Sequence, residues 1–135
     1  MQLLNNWEVT LPMIEFFERI LKGHKRVISF TREQDIFFRI ARGGGYSAIN
    51  ALLVNRYTIG IADVMRAQVE FPAITCITAY GSWCGYTRDA KEYGRQHNVG
   101  VFIISDMVGA LASKVANGYV RKDNNGKPVY EYRSS

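Results

Sequence analysis

The most distinctive reactive side chain is the thiol of Cys84, in the segment Trp83-Cys84-Gly85-Tyr86-Thr87. A cysteine at the entrance to a helix can have a lowered pKa and act as a nucleophile. Thr87 stands where the second cysteine of a CxxC pair would be, so only one-thiol chemistry is open. His97 is the one histidine that we consider as a partner for this thiol. In the structural alternative, Cys84 is simply a small, partly apolar loop residue.

Neither a metal site nor a phosphate-binding loop is indicated by the other residue types. The two histidines, His24 and His97, do not stand beside cysteines or carboxylates at the spacing of metal ligands. The glycines Gly43–Gly45 follow a predicted helix, whereas a phosphate-binding loop needs a strand, then glycines, then a helix. We therefore expect no metal and no cofactor, and we interpret Gly43–Gly45 as a helix stop and turn.

Basic and aromatic side chains near the same loop indicate a different chemistry, the binding of nucleic acid. Arg88, Lys91 and Arg95 are spaced three and four residues apart, which places them on one face of a predicted helix. Cations of this kind contact phosphates, and exposed aromatic rings stack on bases. The residues that we assign to a nucleic-acid surface are Arg56, Trp83, Tyr86, Arg88, Lys91 and Arg95.

The alternative is that these residues are structural. Asp89 and Glu92 interleave with the cations, and Arg88 and Glu92 have the spacing of a helical ion pair. Trp83 and Tyr86 would then pack down on the core. A second basic cluster lies at the end of the predicted N-terminal helix, where the helix dipole accounts for it: Lys22, His24, Lys25 and Arg26.

The elements that position these residues alternate between strands and helices along most of the chain. Residues 74–112 contain two short apolar strands joined by a helix, which is typical of a parallel sheet covered on both faces. The order predicts a three-layer α/β fold with a mostly parallel, four-stranded central sheet, flanking helices and a C-terminal β-hairpin. The predicted strands are 27–30, 49–55, 74–78 and 99–104, and the predicted helices are 10–23, 31–42, 60–71, one from 87 and one from 106. The predicted hairpin pairs 119–122 with 129–132 around Asn125-Gly126.

The totals are those of one globular domain. Its 135 residues suffice for a core without staples, and we divide them into an N-terminal helix (1–23), a β-α core (24–117) and a hairpin (118–135). Two cysteines, with Cys76 inside a predicted buried strand, favour a reduced, cytoplasmic protein. From the sequence we expect neither a membrane span nor a signal peptide. The net charge of +5 is compatible with nucleic acid or an acidic protein as partner.

The stretch Ile74–Ala112 resembles the C-terminal half of Mrr-like domains, which belong to the restriction-endonuclease-like superfamily of PD-(D/E)xK nucleases. In that family a strand ending in Thr leads to a loop, a helix with a Thr-x-x-Ala opening, a further strand and a small last helix. The matching residues here are Ile77-Thr78, Thr87-Arg88-Asp89-Ala90, Val99–Ile104 and Met107–Leu111. Upstream, the predicted helix Thr31–Arg42 with Glu33, followed by Gly45-Tyr46, looks like the family's first helix and its Gly-Tyr strand entry.

The resemblance implies a Mg²⁺ site that this chain lacks. The family holds the metal with an acidic residue on one strand and a Glu-x-Lys or Gln-x-Lys on the next, and the metal generates the attacking hydroxide. Matching Ile49–Tyr57 to that second strand gives Asn55-Arg56-Tyr57, with no carboxylate anywhere from Ala41 to Ala62. The nearest acids, Asp63 and Glu70, fall on the following predicted helix.

We therefore expect a non-catalytic, restriction-endonuclease-like module that contacts nucleic acid through a basic helix and an aromatic loop. One alternative is an enzyme with its site in residues 79–87, either a divergent metal-dependent nuclease using Asp63 or Glu70 or a thiol catalyst using Cys84. A second alternative is a protein–protein adaptor or assembly subunit. Its interface with a protein partner or a second copy would contain Trp83, Tyr86 and the hairpin strand Val129–Tyr132.

Overall fold

The computed structural model describes residues 5–134, which form seven strands and four α-helices. The strands are β1 (Val27–Glu33), β2 (Phe37–Arg42), β3 (Ile49–Val54), β4 (Thr58–Ile59), β5 (Cys76–Ala79), β6 (Gly85–Tyr86) and β7 (Gly100–Phe102). The α-helices are α1 (Leu11–Gly23), α2 (Ile61–Glu70), α3 (Arg88–Gln96) and α4 (Ile104–Leu111), and a 3₁₀ turn follows at Ala116–Gly118. Across these residues, no helix combines the length and the apolar character that a membrane crossing requires.

A five-stranded mixed sheet forms the middle layer, in the order β1-β2-β3-β5-β7. Strands β1, β2 and β3 are antiparallel neighbours, whereas β3, β5 and β7 run parallel. A second, two-stranded parallel sheet joins β4 to β6. The prediction of an α/β fold is confirmed, but the prediction of a mostly parallel, four-stranded sheet is wrong, because one predicted helix is instead part of a β-hairpin.

That hairpin is formed by β1 and β2 and replaces the helix predicted at 31–42. Its turn contains Gln34 and Asp35, both with positive φ (49° and 68°), as a tight hairpin turn requires. The apolar residues of β2 fit a helical period as well as an alternating one, so the sequence pattern did not separate the two structures. Strand pairing on both edges of β2 decides the outcome, since Phe38 lies opposite Arg32 in β1 and Ala51 in β3.

Helices cover both faces of the main sheet. On one face, the ring of Phe17 in α1 packs edge-on against Phe38, with centroids 4.9 Å apart. Helix α4 packs on this face too, where its Met107 approaches Cys76 of β5 with 3.7 Å between the sulfur atoms. On the other face, Phe71 at the end of α2 stacks on Phe37 with centroids 4.8 Å apart. The buried apolar side chains form one continuous core.

The predicted helices other than 31–42 are confirmed to within a few residues. Helix α1 begins after Thr10, has Pro12 in its first turn, and buries Ile14, Phe17 and Leu21. Thr87 caps α3, because its hydroxyl oxygen accepts a hydrogen bond from the backbone N–H of Ala90 at 3.0 Å. The last predicted helix begins at Ile104 and not at Asp106. The Asp106 carboxylate accepts from the backbone N–H of Ile103, so it stabilises the first turn from within the helix.

The C-terminal segment folds back as a loose hairpin, as predicted. Lys122 and Pro128 form an antiparallel bridge, and the backbone N–H of Val129 donates to the carbonyl of Arg121 at 2.7 Å. Tyr132 then forms a parallel bridge with Tyr86. The hairpin therefore adds to the β4–β6 sheet and covers the loop in which the sequence placed the chemistry.

Candidate nucleic-acid interface

Cys84 is enclosed in the structure. It is fully buried, and this burial raises the pKa of its thiol. The capping residue of α3 is Thr87. The Cys84 thiol therefore lies before the helix N-terminus and not at the position where the helix dipole would lower its pKa. Both findings oppose the thiol-catalyst alternative.

His97 stands at the opposite end of α3 from Cys84. The helix has nine residues and is therefore about 13 Å long. His97 is exposed, stacks on the ring of Tyr93 with centroids 3.9 Å apart, and bonds the Tyr93 carbonyl through Nδ1 at 2.8 Å. The pairing of Cys84 with His97 that the sequence suggested is not formed.

Tyr86 belongs to the core, so its assignment as an exposed stacking ring is wrong. Its backbone N–H donates to the Glu131 carbonyl at 3.0 Å, and its hydroxyl accepts from the Glu131 N–H at 3.1 Å. The C-terminal hairpin approaches so closely that a Cβ atom on Gly85 would lie 2.6 Å from the Glu131 carbonyl oxygen. Burial raises the pKa of Tyr86 to about 12. Tyr86 therefore packs on the core, as the alternative interpretation of the sequence predicted.

Lys91 also points inward, so the basic ridge predicted along α3 is interrupted. Its Nζ donates to the carbonyl oxygen of Val101 at 2.7 Å and lies 4.8 Å and 4.9 Å from the ring centroids of Tyr86 and Phe102. Desolvation lowers the pKa of Lys91 to about 8. An ammonium held in this way is not available to a phosphate on the surface.

Beneath the hairpin lies an ionic network that the sequence did not indicate. Asp106 is 2% exposed, and its Oδ1 lies 3.4 Å from Nε of Arg121. Arg121 in turn pairs with Glu131 at 2.9 Å. Burial raises the pKa of Asp106 against the opposing effect of Lys91 and Arg121. Because Arg121 and Glu131 belong to the hairpin, the network fixes it to the core.

The other four assigned residues remain nearer the surface, but carboxylates neutralise two of them. Arg95 pairs with Glu92 at 2.6 Å, and Arg56 pairs with Asp63 at 3.2 Å. The remaining two residues are the cation Arg88 and the exposed ring of Trp83. Because the other four are buried or neutralised, the structure does not gather the six assigned residues into one charged surface. Arg88 lies over the ring of Tyr132 at 4.3 Å, and Trp83 is 57% exposed beside the ring of Tyr80.

Uncompensated positive charge collects at the opposite end of the sheet, where the parallel strands begin. Three chain segments meet there, and none contains a carboxylate: residues 19–32, 36–62 and 107–122. The ion pairs found within residues 5–134 involve none of the four exposed or half-exposed cations at this end. We call these four residues the basic end: Lys22, Lys25, Arg26 and Lys114.

Arg42 joins the three segments of the basic end. It is buried and donates from Nη1 to the carbonyl oxygens of Leu111 at 3.0 Å and Ser113 at 2.6 Å, at the C-terminus of α4. The guanidinium groups of Arg42 and Arg26 both lie against the ring of Tyr46, at 5.1 Å and 4.3 Å from its centroid. The end of α4, the β2–β3 loop and the start of β1 are therefore held together.

The glycines Gly43–Gly45 shape the β2–β3 loop, so they form a turn between strands and do not stop a helix. Gly44 and Gly45 have φ of 72° and 78°. A Cβ atom on Gly44 would collide with Nη1 of Arg26, so glycine allows this guanidinium to lie against the loop. Helix C-termini, where the dipole favours cations, point toward this end from α1 and α4. The fold therefore tolerates several like charges here.

The acidic residues considered for a nuclease are engaged elsewhere. Asp63 accepts from the backbone N–H of Gly60 at 2.9 Å and pairs with Arg56. Glu70 accepts from the indole N–H of Trp7 at 2.9 Å and from Nε of Arg66 at 2.7 Å. Desolvation raises the pKa of its carboxyl, but these bonds and the charge of Arg66 together hold that pKa below the ordinary value. Among residues 5–134, no three His, Cys, Asp or Glu side chains are grouped to hold a metal ion.

Comparison of the chain with protein-family models, with curated proteins and with solved structures gave no significant match. Sequence reasoning identified the cluster at residues 22–26 but attributed it to one helix dipole. The signal that indicates more is the absence of carboxylates from all three segments. Residues 19–32 and 36–62 are neighbours in the chain, and the fold brings the distant residues 107–122 against them.

Proposed function

We propose that this protein is a non-catalytic, restriction-endonuclease-like module that binds nucleic acid through the basic end. The observation that carries the proposal is the set of four cations, Lys22, Lys25, Arg26 and Lys114, at an end of the molecule whose segments contain no carboxylate. Lys and Arg that neutralise phosphates release counterions, and this release is the main source of sequence-independent affinity.

The local pattern of the C-terminal half supports the family part of the proposal. The Thr-x-x-Ala sequence has a physical role here, since Thr87 caps the helix at the N–H of Ala90 and Ala90 is buried. Strand β5 with Thr78, helix α3, strand β7 and helix α4 follow one another in the order expected for an Mrr-like domain. The part of the resemblance that depended on a helix at 31–42 no longer applies, because this segment is the β1–β2 hairpin.

The lack of catalysis is inferred from strands β2 and β3. These adjacent strands read FFRIAR and INALLV and contain no carboxylate. Asp35, in the turn before β2, pairs with Arg32 at 3.2 Å. The carboxylates that would hold Mg²⁺ between two such strands are therefore missing, and we expect binding of nucleic acid without cleavage.

The test compares a double charge reversal at the basic end with a single charge reversal at the opposite end of the molecule. Binding of labelled single- and double-stranded DNA and RNA is measured over a salt series for the wild type, for Lys25→Glu with Lys114→Glu, and for Arg88→Glu. The slope of log K against log salt is negative. Each phosphate that the protein no longer neutralises reduces the magnitude of this slope by about 0.9 for duplex DNA and ~0.7 for single strands. We expect the variant at the basic end to bind more weakly and to neutralise up to about two phosphates fewer.

Arg88→Glu is the matched control, because Arg88 is exposed and lies at the N-terminus of α3, away from the basic end. It should bind nearly as the wild type does. A larger decrease in affinity for Arg88→Glu than for the double variant would assign binding to the predicted α3 surface. Cleavage that requires Mg²⁺ would contradict the non-catalytic part of the proposal, and absence of binding at low salt would contradict the function itself.

A further inference from the structure

Arg42 is a buried cation that no carboxylate neutralises. It is 6% exposed, and the ion pairs formed within residues 5–134 do not include it. Desolvation has the largest effect on the pKa of its guanidinium and lowers that pKa. A buried charge is costly unless it is paired and hydrogen-bonded. The groups around this guanidinium should therefore show how its charge is compensated.

Hydrogen bonds account for two of the three side-chain nitrogens of Arg42. Nε donates to the carbonyl oxygen of Ser47 at 2.8 Å, and Nη1 donates to carbonyl oxygens at the C-terminus of α4, including that of Ser113 at 2.6 Å. The negative end of the α4 dipole compensates part of the charge through Nη1. Nη2 is also buried, but it has no hydrogen-bond partner among the described residues. The N–H groups of this nitrogen therefore lack an acceptor.

The unpartnered nitrogen lies beside a cleft at the basic end. In the planar guanidinium, Nη2 shares one edge with Nε and the other edge with Nη1. Its N–H groups therefore point to the same sides as the bonds to Ser47 and Ser113, toward the gap between the β2–β3 loop and the segment after α4. A cleft of about 210 Å³ lies between these two segments. It is lined by Ser47 from the loop and by Lys114 and Asn117 from the segment after α4.

One phosphate group fits the chemistry and the size of this cleft. The residues that line it include no Asp or Glu, and Lys114 is exposed there without an ion pair to any residue from 5 to 134. Ser47 and Asn117 add a hydroxyl and an amide that can donate hydrogen bonds. The cleft is smaller than the roughly 300–1,000 Å³ of pockets that enclose drug-sized ligands, so it has room for a phosphate but not for a whole nucleotide.

On the basis of the proposed function, we propose that this cleft holds one phosphate group of the bound nucleic acid between Lys114 and Arg42. Lys114 provides an exposed ammonium at the entrance, and Nη2 of Arg42 provides N–H donors in a fixed plane at the base. Because Nη2 is covered, the β2–β3 loop must shift slightly for this contact, and Gly43–Gly45 give the loop that freedom. The phosphate then compensates the part of the Arg42 charge that the α4 dipole leaves.

The first experiment measures urea unfolding of the full chain in inorganic phosphate at constant ionic strength. The midpoint should rise with phosphate concentration in the wild type, because a ligand that binds only the folded state stabilises it. Lys114→Gln should weaken phosphate binding about tenfold or more, since a charge-assisted hydrogen bond is lost. Lys25→Gln is the matched control, because Lys25 is an exposed cation of the same basic end that does not line the cleft. Exclusion of phosphate from protein surfaces also stabilises, but equally in all three proteins.

Arg42→Lys tests the contribution of Nη2, because lysine keeps the positive charge and removes the planar fork. Its urea midpoint in phosphate is compared with its own midpoint in phosphate-free buffer, so that any loss of intrinsic stability does not enter the comparison. We expect the rise with phosphate to be smaller than in the wild type. A full rise in Arg42→Lys would show that Nη2 does not contact the phosphate.

Oligonucleotides with and without a 5′-phosphate distinguish the two sources of the phosphate group. If the cleft takes a terminal phosphate, the 5′-phosphate should raise the affinity and Lys114→Gln should abolish this gain. If it takes a backbone phosphate, Lys114→Gln should weaken binding of both oligonucleotides more than Lys25→Gln does. Equal effects of Lys114→Gln and Lys25→Gln on phosphate and on oligonucleotides would overturn the cleft and leave the proposed function standing. Stabilisation by phosphate without any oligonucleotide binding would instead overturn the proposed function.

Discussion

In the first half of α3, the ammonium of Lys91 lies between the rings of Tyr86 and Phe102 and donates to the carbonyl of Val101. Its positive charge is therefore enclosed under the hairpin and does not reach a partner. Asp106 and Arg121 are enclosed in the same region. Residue type alone therefore did not reveal the roles of these residues. The direction in which a charged side chain points determines whether it meets solvent, a partner or the protein interior.

Burial of Lys91 makes the stability of the folded protein depend on pH. Its pKa is about 8 in the folded protein, below the ordinary value of 10.5. Below pH 8 the lysine is charged in both states, so the desolvation cost is fully present. Between pH 8 and pH 10.5 the unfolded state binds the proton more strongly, so the free energy of unfolding rises with pH.

We expect the unfolding free energy of the wild type, relative to Lys91→Met, to increase by up to about 3 kcal/mol over this interval. Urea denaturation at pH 7, 8, 9 and 10 measures the difference. Lys114→Met, which removes an exposed lysine, is the control for the loss of one positive charge. A difference between wild type and Lys91→Met that stays flat would show that the ammonium is solvated.

Among the elements, the β1–β2 hairpin departs most from what its local sequence favours. Gln34 and Asp35 occupy left-handed conformations that Asn and Gly adopt more readily. The segment nonetheless forms a turn, because β2 is held between β1 and β3 and its Phe37 and Phe38 pack against opposite helical layers. Pairing and burial of β2 outweigh the unfavourable turn residues.

We predict that Gln34→Asn combined with Asp35→Gly stabilises the protein by roughly 1 kcal/mol, measured by urea denaturation. The comparison is repeated in an Arg32→Ala background, which lacks both ion pairs of Arg32, with Glu18 and with Asp35, so that the loss of the Arg32–Asp35 pair, worth less than about 1 kcal/mol, does not enter the difference. If residues 31–42 were helical, the new glycine would instead destabilise the protein by about 1 kcal/mol. The sign of the change therefore distinguishes the two structures.

For the whole molecule, the basic end and the exposed apolar side chains of α2 lie on separate surfaces. The basic end lies where the parallel strands begin, and Ile61, Met65 and Val69 lie on the outer side of one helical layer. Charge and apolar exposure are therefore divided between two surfaces, each suited to a different class of partner.

We predict that nucleic-acid binding does not depend on the exposed apolar side of α2. Val69→Glu should keep the wild-type salt slope on an oligonucleotide that spans one basic end, whereas Lys25→Glu with Lys114→Glu should reduce the magnitude of that slope. Fluorescence anisotropy over a salt series measures both variants. A reduced slope for Val69→Glu would show that α2 contributes to binding.

Several elements followed directly from local sequence signals. Thr10 and Pro12 begin α1, and Thr87 begins α3, because caps and first-turn prolines act within a few residues of the helix start. The apolar runs that contain β5 and β7 and the turn at Asn125-Gly126 were also recognisable. The absence of carboxylates from residues 41–62 is a property of the amino-acid sequence alone.

The tertiary structure decided which side chains face solvent and which segments meet. The β1–β2 pairing depends on β2 having strand partners on both edges, and the inward turn of Tyr86 and the basic end depend on contacts between residues far apart in the chain. Local propensity contains no information about these contacts, because strand partners and covering segments are selected by burial across the whole fold. The sequence by itself therefore determined the local elements and the missing carboxylates, whereas long-range packing determined where the free positive charge lies.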